Sequence, residues 1–461
     1  MTLEEIYQKL PIPLQQLAVN LEGWRTVRKN YGGDFHKFLQ QAESRTFWPQ
    51  EQIKTFRDQR LKAFIGHCYE TVPYYRKLFK SLKIVPDDIK TLDDLKILPI
   101  LTKQEVQDHF LDLVSDAVPP RKRLLIKTSG TTGGAIHFYT TKQAIQEQWA
   151  VWWRYRRWHG IQLNTWCAYF TGRAIVPLNQ NNPPYWRYNY PGKKVHFSAF
   201  HLNEKTISSY VNIINKLKLP WIHGYPSLLS LFASLMMDKK LTLDYHVKWV
   251  TVGSENLLPQ QKELIKKAIG ISPKQNYGSE EAIANFSECE FGNLHVDEDF
   301  AATWFLPITS SDGYKIIGSN LSNYATPLLN YDVQDNISYF TYNNCSCKRP
   351  GRIISNVDGR MEDYIILKNG NKVGRLEHTF TNFLSIREAQ IYQKNVDEIT
   401  VRIVRGNNYS LTEENNIILA LQKRIGFDIK INIQYVENIE RSKRGKLRFV
   451  ISEIPHGKLE M

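Results

Sequence analysis

The chain is 461 residues long with 42% hydrophobic and 23% charged residues, which fits a folded protein of two or three domains and excludes a disordered or collagen-like one. A formal net charge of +14 attracts polyanions, whether nucleic acid, acidic membrane surfaces, ATP or coenzyme A, without choosing among them. No apolar run is long enough to span a bilayer, and Glu4 and Glu5 argue against a cleaved leader, so the expected location is cytoplasmic.

Over the first hundred residues apolar groups recur at helical spacing, as in Leu61, Phe64, Ile65 and Cys68, up to a Pro-bounded turn at Val72-Pro73-Tyr74-Tyr75. This predicts a helical opening segment. Arg123 to Lys127 is a short apolar run that predicts a strand, and it leads straight into Thr128-Ser129-Gly130-Thr131-Thr132-Gly133-Gly134. Glycines in such a run let the backbone approach a phosphate closely while Ser and Thr supply donors, although the Gly-Lys-Ser/Thr ending of a P-loop is absent.

Gln143 to Trp158 predicts a helix, with Trp149, Trp152 and Trp153 at i, i+3 and i+4. Arg154, Arg156 and Arg157 crowd its C-terminal end, where positive charge suits the helix dipole. Pro220 to Leu231 and Val247 to Val252 alternate helix-like and strand-like patterns around Gly224 and Gly253, as in a mixed α/β domain. In the last hundred residues Ile399, Val401 and Ile403 alternate along one strand, and Ile429, Ile431, Ile433 and Tyr435 along another. Between them Ile417, Leu421 and Ile425 stripe a helix running from near Thr412 to Gly426, giving a compact β-α-β lid.

Several segments carry chemistry. Asn276-Tyr277-Gly278 offers an amide that can read a purine edge, a ring to stack on it and a glycine for a tight turn. Glu280 and Glu281 follow, and a hard Mg²⁺ ion bridging phosphate oxygens needs one such carboxylate. Asp335 can accept both hydroxyls of a ribose. Asp358 to Asp363 sets an arginine beside a turn just before the texture of the chain changes, a natural hinge. Lys446 stands in a basic run from Arg441 to Arg448, where Gly445 favours a mobile loop tip that projects one lysine.

The five cysteines, Cys68, Cys167, Cys289, Cys345 and Cys347, do not form a secreted disulfide framework. Cys289, His295, Cys345 and Cys347 instead supply three thiolates and an imidazole, a set suited to one tetrahedral structural Zn²⁺.

In this order these segments resemble the adenylate-forming superfamily of acyl-CoA synthetases, and more closely its phenylacetate-CoA ligase branch, including relatives found with capsular polysaccharide biosynthesis. The resemblance spans nearly the whole chain and includes Leu98-Pro99-Ile100-Leu101-Thr102-Lys103, His223-Gly224-Tyr225-Pro226-Ser227 and Pro327-Leu328-Leu329-Asn330-Tyr331-Asp332. It implies an α/β fold, with a large N-terminal adenylation domain of mixed α/β subdomains over residues 1–361 and a small mobile α+β C-terminal lid over 362–461.

By the same resemblance Ser129, Gly130, Thr131, Thr132 and Gly133 hold the β- and γ-phosphates of ATP. Gly253, Ser254 and Glu255 form part of the adenine wall, and Tyr277 stacks on adenine with Asn276 and Gly278 beside it. Glu281 is associated with Mg²⁺, Asp335 and Arg360 contact the ribose, and Lys446 contacts the carboxylate and bridging oxygen. The implied reaction joins a small carboxylic acid to ATP as acyl-AMP and then passes the acyl group to coenzyme A. A homodimer fits the resemblance, with neither nucleic acid nor a membrane span expected.

Three positions depart from the family pattern. Ala135 replaces the proline that usually closes the glycine loop, and Glu280 stands where a Ser or Thr donates to the α-phosphate, while Glu362 takes the place of the usual hinge aspartate. These motivate two alternatives: adenylation with transfer to an amine, hydroxyl or carrier thiol, as in capsule or polysaccharide biosynthesis, or a degenerate, non-catalytic adenylation fold. A different class, a nucleic-acid binder, is suggested by the charge together with the Trp/Arg-rich stretch from Trp149 to Trp158.

Overall fold

The computed structural model describes residues 3–127, 136–171, 174–308, 313–342, 345–360, 364–368, 372–374, 376–380, 383, 385–406, 409–441 and 447–454, without the side chains of 3–5, 171, 358–360, 372, 374, 377 and 378. The chain divides into two units, one built from Met1–Trp24, Asn164–Gln275 and Gly359–Met461, the other from Arg25–Leu163 and Asn276–Asp358. The architecture is mixed α/β, with a large N-terminal α/β portion and a smaller C-terminal sheet region.

In the first unit, strands Lys194–Ser198, Cys167–Thr171, Trp221–Gly224 and Trp249–Val252 lie parallel in that spatial order, with Trp186–Asn189 antiparallel on the outer edge. Helices Ile207–Leu217, Pro226–Asp238 and Pro259–Ile269 make the connections that parallel strands require. Phe170, Phe197, Ile222, Val250 and Val252 from the strands join Tyr210, Phe232, Leu235 and Ile265 from the helices in one core. The helix Pro226–Asp238 is buried from Pro226 through Met236, because its sequence is apolar or small on every face.

The same unit contains the C-terminal sheet, in the spatial order Lys430–Tyr435, Glu398–Arg405, Ile386–Gln393, Val450–Ser452. Its outer pairs are parallel and its central pair antiparallel. The helix Leu411–Ile425 packs Ile417, Leu421 and Ile425 on that sheet, as their spacing predicts. Ser410 caps its start by accepting from Glu413 N, while Glu413 returns a bond to Ser410 N, and Gly426 at φ +95° ends it. Two strands predicted from the sequence are therefore present, and two more, Ile386–Gln393 and Val450–Ser452, complete the sheet.

In the second unit the predicted opening helices are Gln50–Thr71 and Pro73–Leu82, with Leu61, Phe64, Ile65 and Cys68 fully buried. Pro73 begins the second helix at a position where its missing N–H is no loss. Tyr75 donates from its hydroxyl to Pro327 O (3.1 Å) and accepts from Leu329 N (2.9 Å). Leu101 N donates to Asn330 O and Asp332 N to Leu101 O, each at 3.0 Å. The Val72-Pro73-Tyr74-Tyr75, Leu98–Lys103 and Pro327–Asp332 segments thus meet in one core and fix the start of the strand Tyr331–Ile337, on which Asp335 stands. Asn276 to Gly278, the end of strand Lys274–Gly278, pairs antiparallel with Asn285–Glu288, which pairs with Leu294–Val296.

Candidate functional site

Tyr277 and Asp335 are 58 residues apart in sequence, and the second unit brings them together: Tyr277 Oη donates to Asp335 Oδ2 at 2.7 Å. Across the strand pair Tyr277 faces Phe286, and the two rings stack with centroids 4.9 Å apart and planes at 17°. An aromatic face bonded at its hydroxyl to a carboxylate matches a nucleoside in shape, with a flat base for the ring and a diol for an acceptor-only group.

Gly278 has its own constraint. A Cβ there would sit 2.8 Å from Asn285 Oδ1 and 2.9 Å from Trp152 Nε1. Those two atoms are hydrogen-bonded to each other at 2.6 Å. Asn285 in turn donates to Asp297, which also accepts from Ser287 Oγ at 2.7 Å and from Arg154 Nη2 at 2.7 Å. Glu280 is exposed on the turn that follows, whereas Glu281 is half-buried and its carbonyl accepts from Asn320 Nδ2 at 3.1 Å.

The arginines of helix Lys142–Trp158 do more than complement a helix dipole. Arg154 is buried and bonds Asp297 and Asp299, Arg156 is buried with its guanidinium over Trp153, and Arg157 pairs with Glu43. This corrects the reading of a plain basic helix end and removes the motive for a nucleic-acid face, since Arg154 and Arg156 are not displayed to solvent. The partners of Arg154 belong to the buried run Asp297-Glu298-Asp299, where Glu298 meets Arg57 and Arg352 and Asp299 also meets Arg45. Burial pushes the Asp297 carboxyl up to about 6, against the pull of Arg154 and with a further push from Asp299, whereas in Asp299 the pull of Arg154 and Arg45 overcomes burial and holds the group low. Sequence reasoning missed this run; its signal was three consecutive acids within an apolar stretch.

Gly253, Ser254 and Glu255 follow strand Trp249–Val252 in the first unit, with Ser254 in the left-handed region at φ +67°. The glycine-loop residues Ser129, Gly130, Thr131, Thr132 and Gly133, together with Ala135, Glu362 and Lys446, lie outside the described residues, as does the side chain of Arg360. Leu124–Lys127, just before the glycine segment in the sequence, is a strand as expected, and it pairs antiparallel with His137–Thr140.

Cys289, His295, Cys345 and Cys347 converge in the second unit, buried, with one ligand atom from each within 4.8 Å of the others. Cys289 Sγ and Cys345 Sγ are 3.7 Å apart, too far for a disulfide, and a tetrahedral zinc with bonds of about 2.3 Å spaces its sulfurs by about 3.8 Å. His295 Nδ1 lies 3.2 Å from Pro350 O, which can only accept, so the proton sits on Nδ1 and Nε2 presents a lone pair 3.3 Å from Cys347 Sγ. Gly292 at φ +84° and Lys348 at φ +60° shape the two turns, and Asn293 Nδ2 and Arg349 N donate to the sulfurs of Cys345 and Cys347. Burial pushes the Cys289 thiol up to about 12, while at Cys345 the amide of Cys347 and the Asn293 side chain outweigh burial and bring the thiol down. The donor set fits zinc.

Residues 365–453 match the family described as CapK C-terminal domain. The whole chain is similar to Protein CapK of Staphylococcus aureus, 24% identical over 98% of this chain and 100% of that protein, and to the phenylacetate-coenzyme A ligase of Thermus thermophilus, 22% identical over 87% and 97%. Its fold matches 2-hydroxyisobutyryl-CoA ligase in the postadenylation state with a TM-score of 0.68 at 15% identity, covering 89% of this chain and 91% of that one. The architecture is therefore that of the acyl-CoA ligases. Over nearly its whole length the chain is thus similar to the branch of the adenylate-forming superfamily that contains CapK and the phenylacetate-CoA ligases. ATP-dependent adenylation is the chemistry this family implies. Among the described residues no helix is long and apolar enough to cross a membrane.

Proposed function

We propose that this protein activates a small carboxylic acid with ATP and passes the acyl group to coenzyme A. In the first half-reaction a carboxylate oxygen bonds to the α-phosphorus of ATP while the α–β bridging bond breaks, giving acyl-AMP and pyrophosphate. In the second, the thiol sulfur bonds to the acyl carbon, the carbon–oxygen bond to AMP breaks, and the thiol proton passes to solvent. The observation that carries this reading is the Tyr277–Asp335 hydrogen bond, which joins an aromatic platform to a diol-binding carboxylate within the fold of the acyl-CoA ligases.

On this reading Tyr277 stacks on adenine with Asn276 and Gly278 beside it, Gly253 to Glu255 line the adenine wall, and Asp335 and Arg360 hold the ribose. Ser129 to Gly133 receive the β- and γ-phosphates, and Lys446 stabilises charge at the attacked phosphate. Glu281 would hold Mg²⁺, which when bound neutralises charge on the phosphate oxygens. Cys289, His295, Cys345 and Cys347 hold a structural zinc. Residues 1–361 form the adenylation domain and 362–461 a lid that rotates between half-reactions, with the hinge at Glu362.

A second reading rests on Glu280. An exposed carboxylate one residue before Glu281 repels an α-phosphate, which favours an altered acceptor such as an amine, hydroxyl or carrier thiol, in the manner of capsule or polysaccharide biosynthesis, or an adenylation fold without turnover. Pyrophosphate release across a panel of acids, each with and without coenzyme A, separates the readings. Coenzyme A consumption matching pyrophosphate supports the first, release without it supports another acceptor, and no release with any acid supports the inactive fold. Lys446→Ala is expected to abolish acyl-AMP formation and leave unfolding unchanged; full adenylation by that variant removes the lysine's role.

A further inference from the structure

Three sequence segments with no evident link meet at one end of the helix Pro226–Asp238. This helix begins at Pro226, so the N–H of Ser227 in its first turn has no partner within the helix. Glu255 supplies one: its Oε2 accepts from Ser227 N at 3.1 Å. A carboxylate at a helix N-terminus also meets the favourable end of the helix dipole. Glu255 follows Ser254, whose positive φ turns the chain sharply after strand Trp249–Val252.

The other oxygen of the same carboxylate is engaged as well. Glu255 Oε1 accepts from Leu447 N at 3.2 Å, and Leu447 is the residue that follows Lys446 in the chain. Arg441, six residues before Leu447, donates from Nη1 to Ser227 Oγ at 2.9 Å and from Nη2 to Glu388. Burial pushes the Glu388 carboxyl up, Arg441 pulls it down and the charge of Glu255 pushes it up again. At the far end of the helix, Arg387 grips Asp238 at 2.6 Å and also pairs with Glu204. The C-terminal sheet region therefore holds the helix Pro226–Asp238 at both ends, and Glu255 is the group shared by the helix and the chain beside Lys446.

We infer that Glu255 is a positioning residue: its carboxylate ties the backbone at Leu447 to the N-terminus of the helix Pro226–Asp238 and so docks the C-terminal sheet region for the adenylation half-reaction. The functional half of this inference rests on the activity proposed above; the docking half rests on the contacts alone. A carboxylate suits the task because it offers two acceptor oxygens and no donor, one for each backbone N–H. It also gives the Pro226-Ser227 and Ser254-Glu255 pairs a shared purpose, since each supplies one side of the junction.

The test uses the full chain and its Glu255→Ala and Glu255→Gln variants, read first by amide hydrogen exchange. In Glu255→Ala, exchange at Leu447 is expected to rise about tenfold, while the helix Leu411–Ile425, packed through Ile417, Leu421 and Ile425 in the C-terminal core, exchanges as in the wild type. Glu255→Gln, which keeps one acceptor oxygen, is expected to fall between the two. Unchanged exchange at Leu447 in both variants overturns the docking.

The kinetic readout is acid-dependent pyrophosphate release. A positioning role lowers kcat about tenfold or more and moves the KM for ATP less than about twofold. A rise in KM with kcat retained overturns the positioning role and leaves Glu255 as part of the adenine wall only. If the wild type releases no pyrophosphate with any acid, the activation reading and the positioning role fall together, while exchange at Leu447 still decides the contact.

Discussion

A Cβ on Gly278 would enter the hydrogen bond between Asn285 Oδ1 and Trp152 Nε1, two atoms held on opposite sides by a strand and a buried helix. Neither atom belongs to a flexible chain end that can swing away, because Asn285 is fixed by Asp297 and Trp152 stands in the helix Lys142–Trp158. Gly278→Ala is therefore expected to destabilise the protein by about 1–3 kcal/mol and to displace the adjoining Tyr277 ring. Thermal unfolding and ATP titration check the two effects, and an alanine variant with wild-type stability shows that the pair gives way. From the sequence Gly278 was readable as a turn glycine. Its actual constraint is a close approach, which depends on a tryptophan more than a hundred residues earlier in the chain.

At the scale of elements, the strands Asn285–Glu288 and Leu294–Val296 and the turn of Cys345 and Cys347 bring together the four side chains Cys289, His295, Cys345 and Cys347, whose donor set fits a metal. Loop tips of this kind contribute little apolar burial, so a metal bound there would supply a fastening. The purified protein is expected to contain about one equivalent of zinc, and its removal by a chelator to lower the unfolding temperature on the order of 5 °C. Cys345→Ser and Cys347→Ser are expected to show the same loss without the chelator, whereas Cys167→Ser, far from the cluster in sequence and in the other unit, is expected to keep its zinc. Metal analysis beside calorimetry decides this, and a zinc content well below one equivalent removes the site.

The C-terminal sheet shows where element prediction stopped. Glu398–Arg405 was legible because Ile399, Val401 and Ile403 alternate with half-exposed residues, whereas Ile386–Gln393 is buried on both faces and places Arg387, Glu388, Gln390 and Gln393 inside. Those polar groups are satisfied by Glu204, Arg441, Arg448 O and Ile366 O, partners that no alternation pattern announces.

At the scale of the molecule, stability in the second unit depends on a buried network of arginines and acids in which Asp297 titrates unusually. Its folded carboxyl is raised to about 6 from the ordinary 3.8, so between those values the folded state binds the proton more readily than the unfolded state. What Asp297 contributes to stability is therefore greatest below about pH 4 and declines as pH rises toward 6. Asp299 has the opposite sign: its carboxyl is depressed, and its contribution is lost as pH falls below the ordinary carboxylate range. The stability advantage of the wild type over Asp297→Ser is accordingly expected to shrink between pH 4 and 6. An advantage that grows over that range reverses the sign and the cause assigned here.

The sequence alone determined the mixed α/β class, the strand before the glycine segment, the striped helix of the C-terminal region and the four side chains that converge as a metal donor set, because each is written in local spacing or in residue chemistry that tolerates few other uses. It also carried the ordered motifs by which the family is recognised. Only the tertiary structure decided that Tyr277 bonds Asp335, that Arg154 after the tryptophan cluster is buried against Asp297 and Asp299, and that Glu255 joins Ser227 to Leu447. Those are contacts between residues distant in the chain. Their partners are set by how strands and helices pack, and neither spacing nor composition records that.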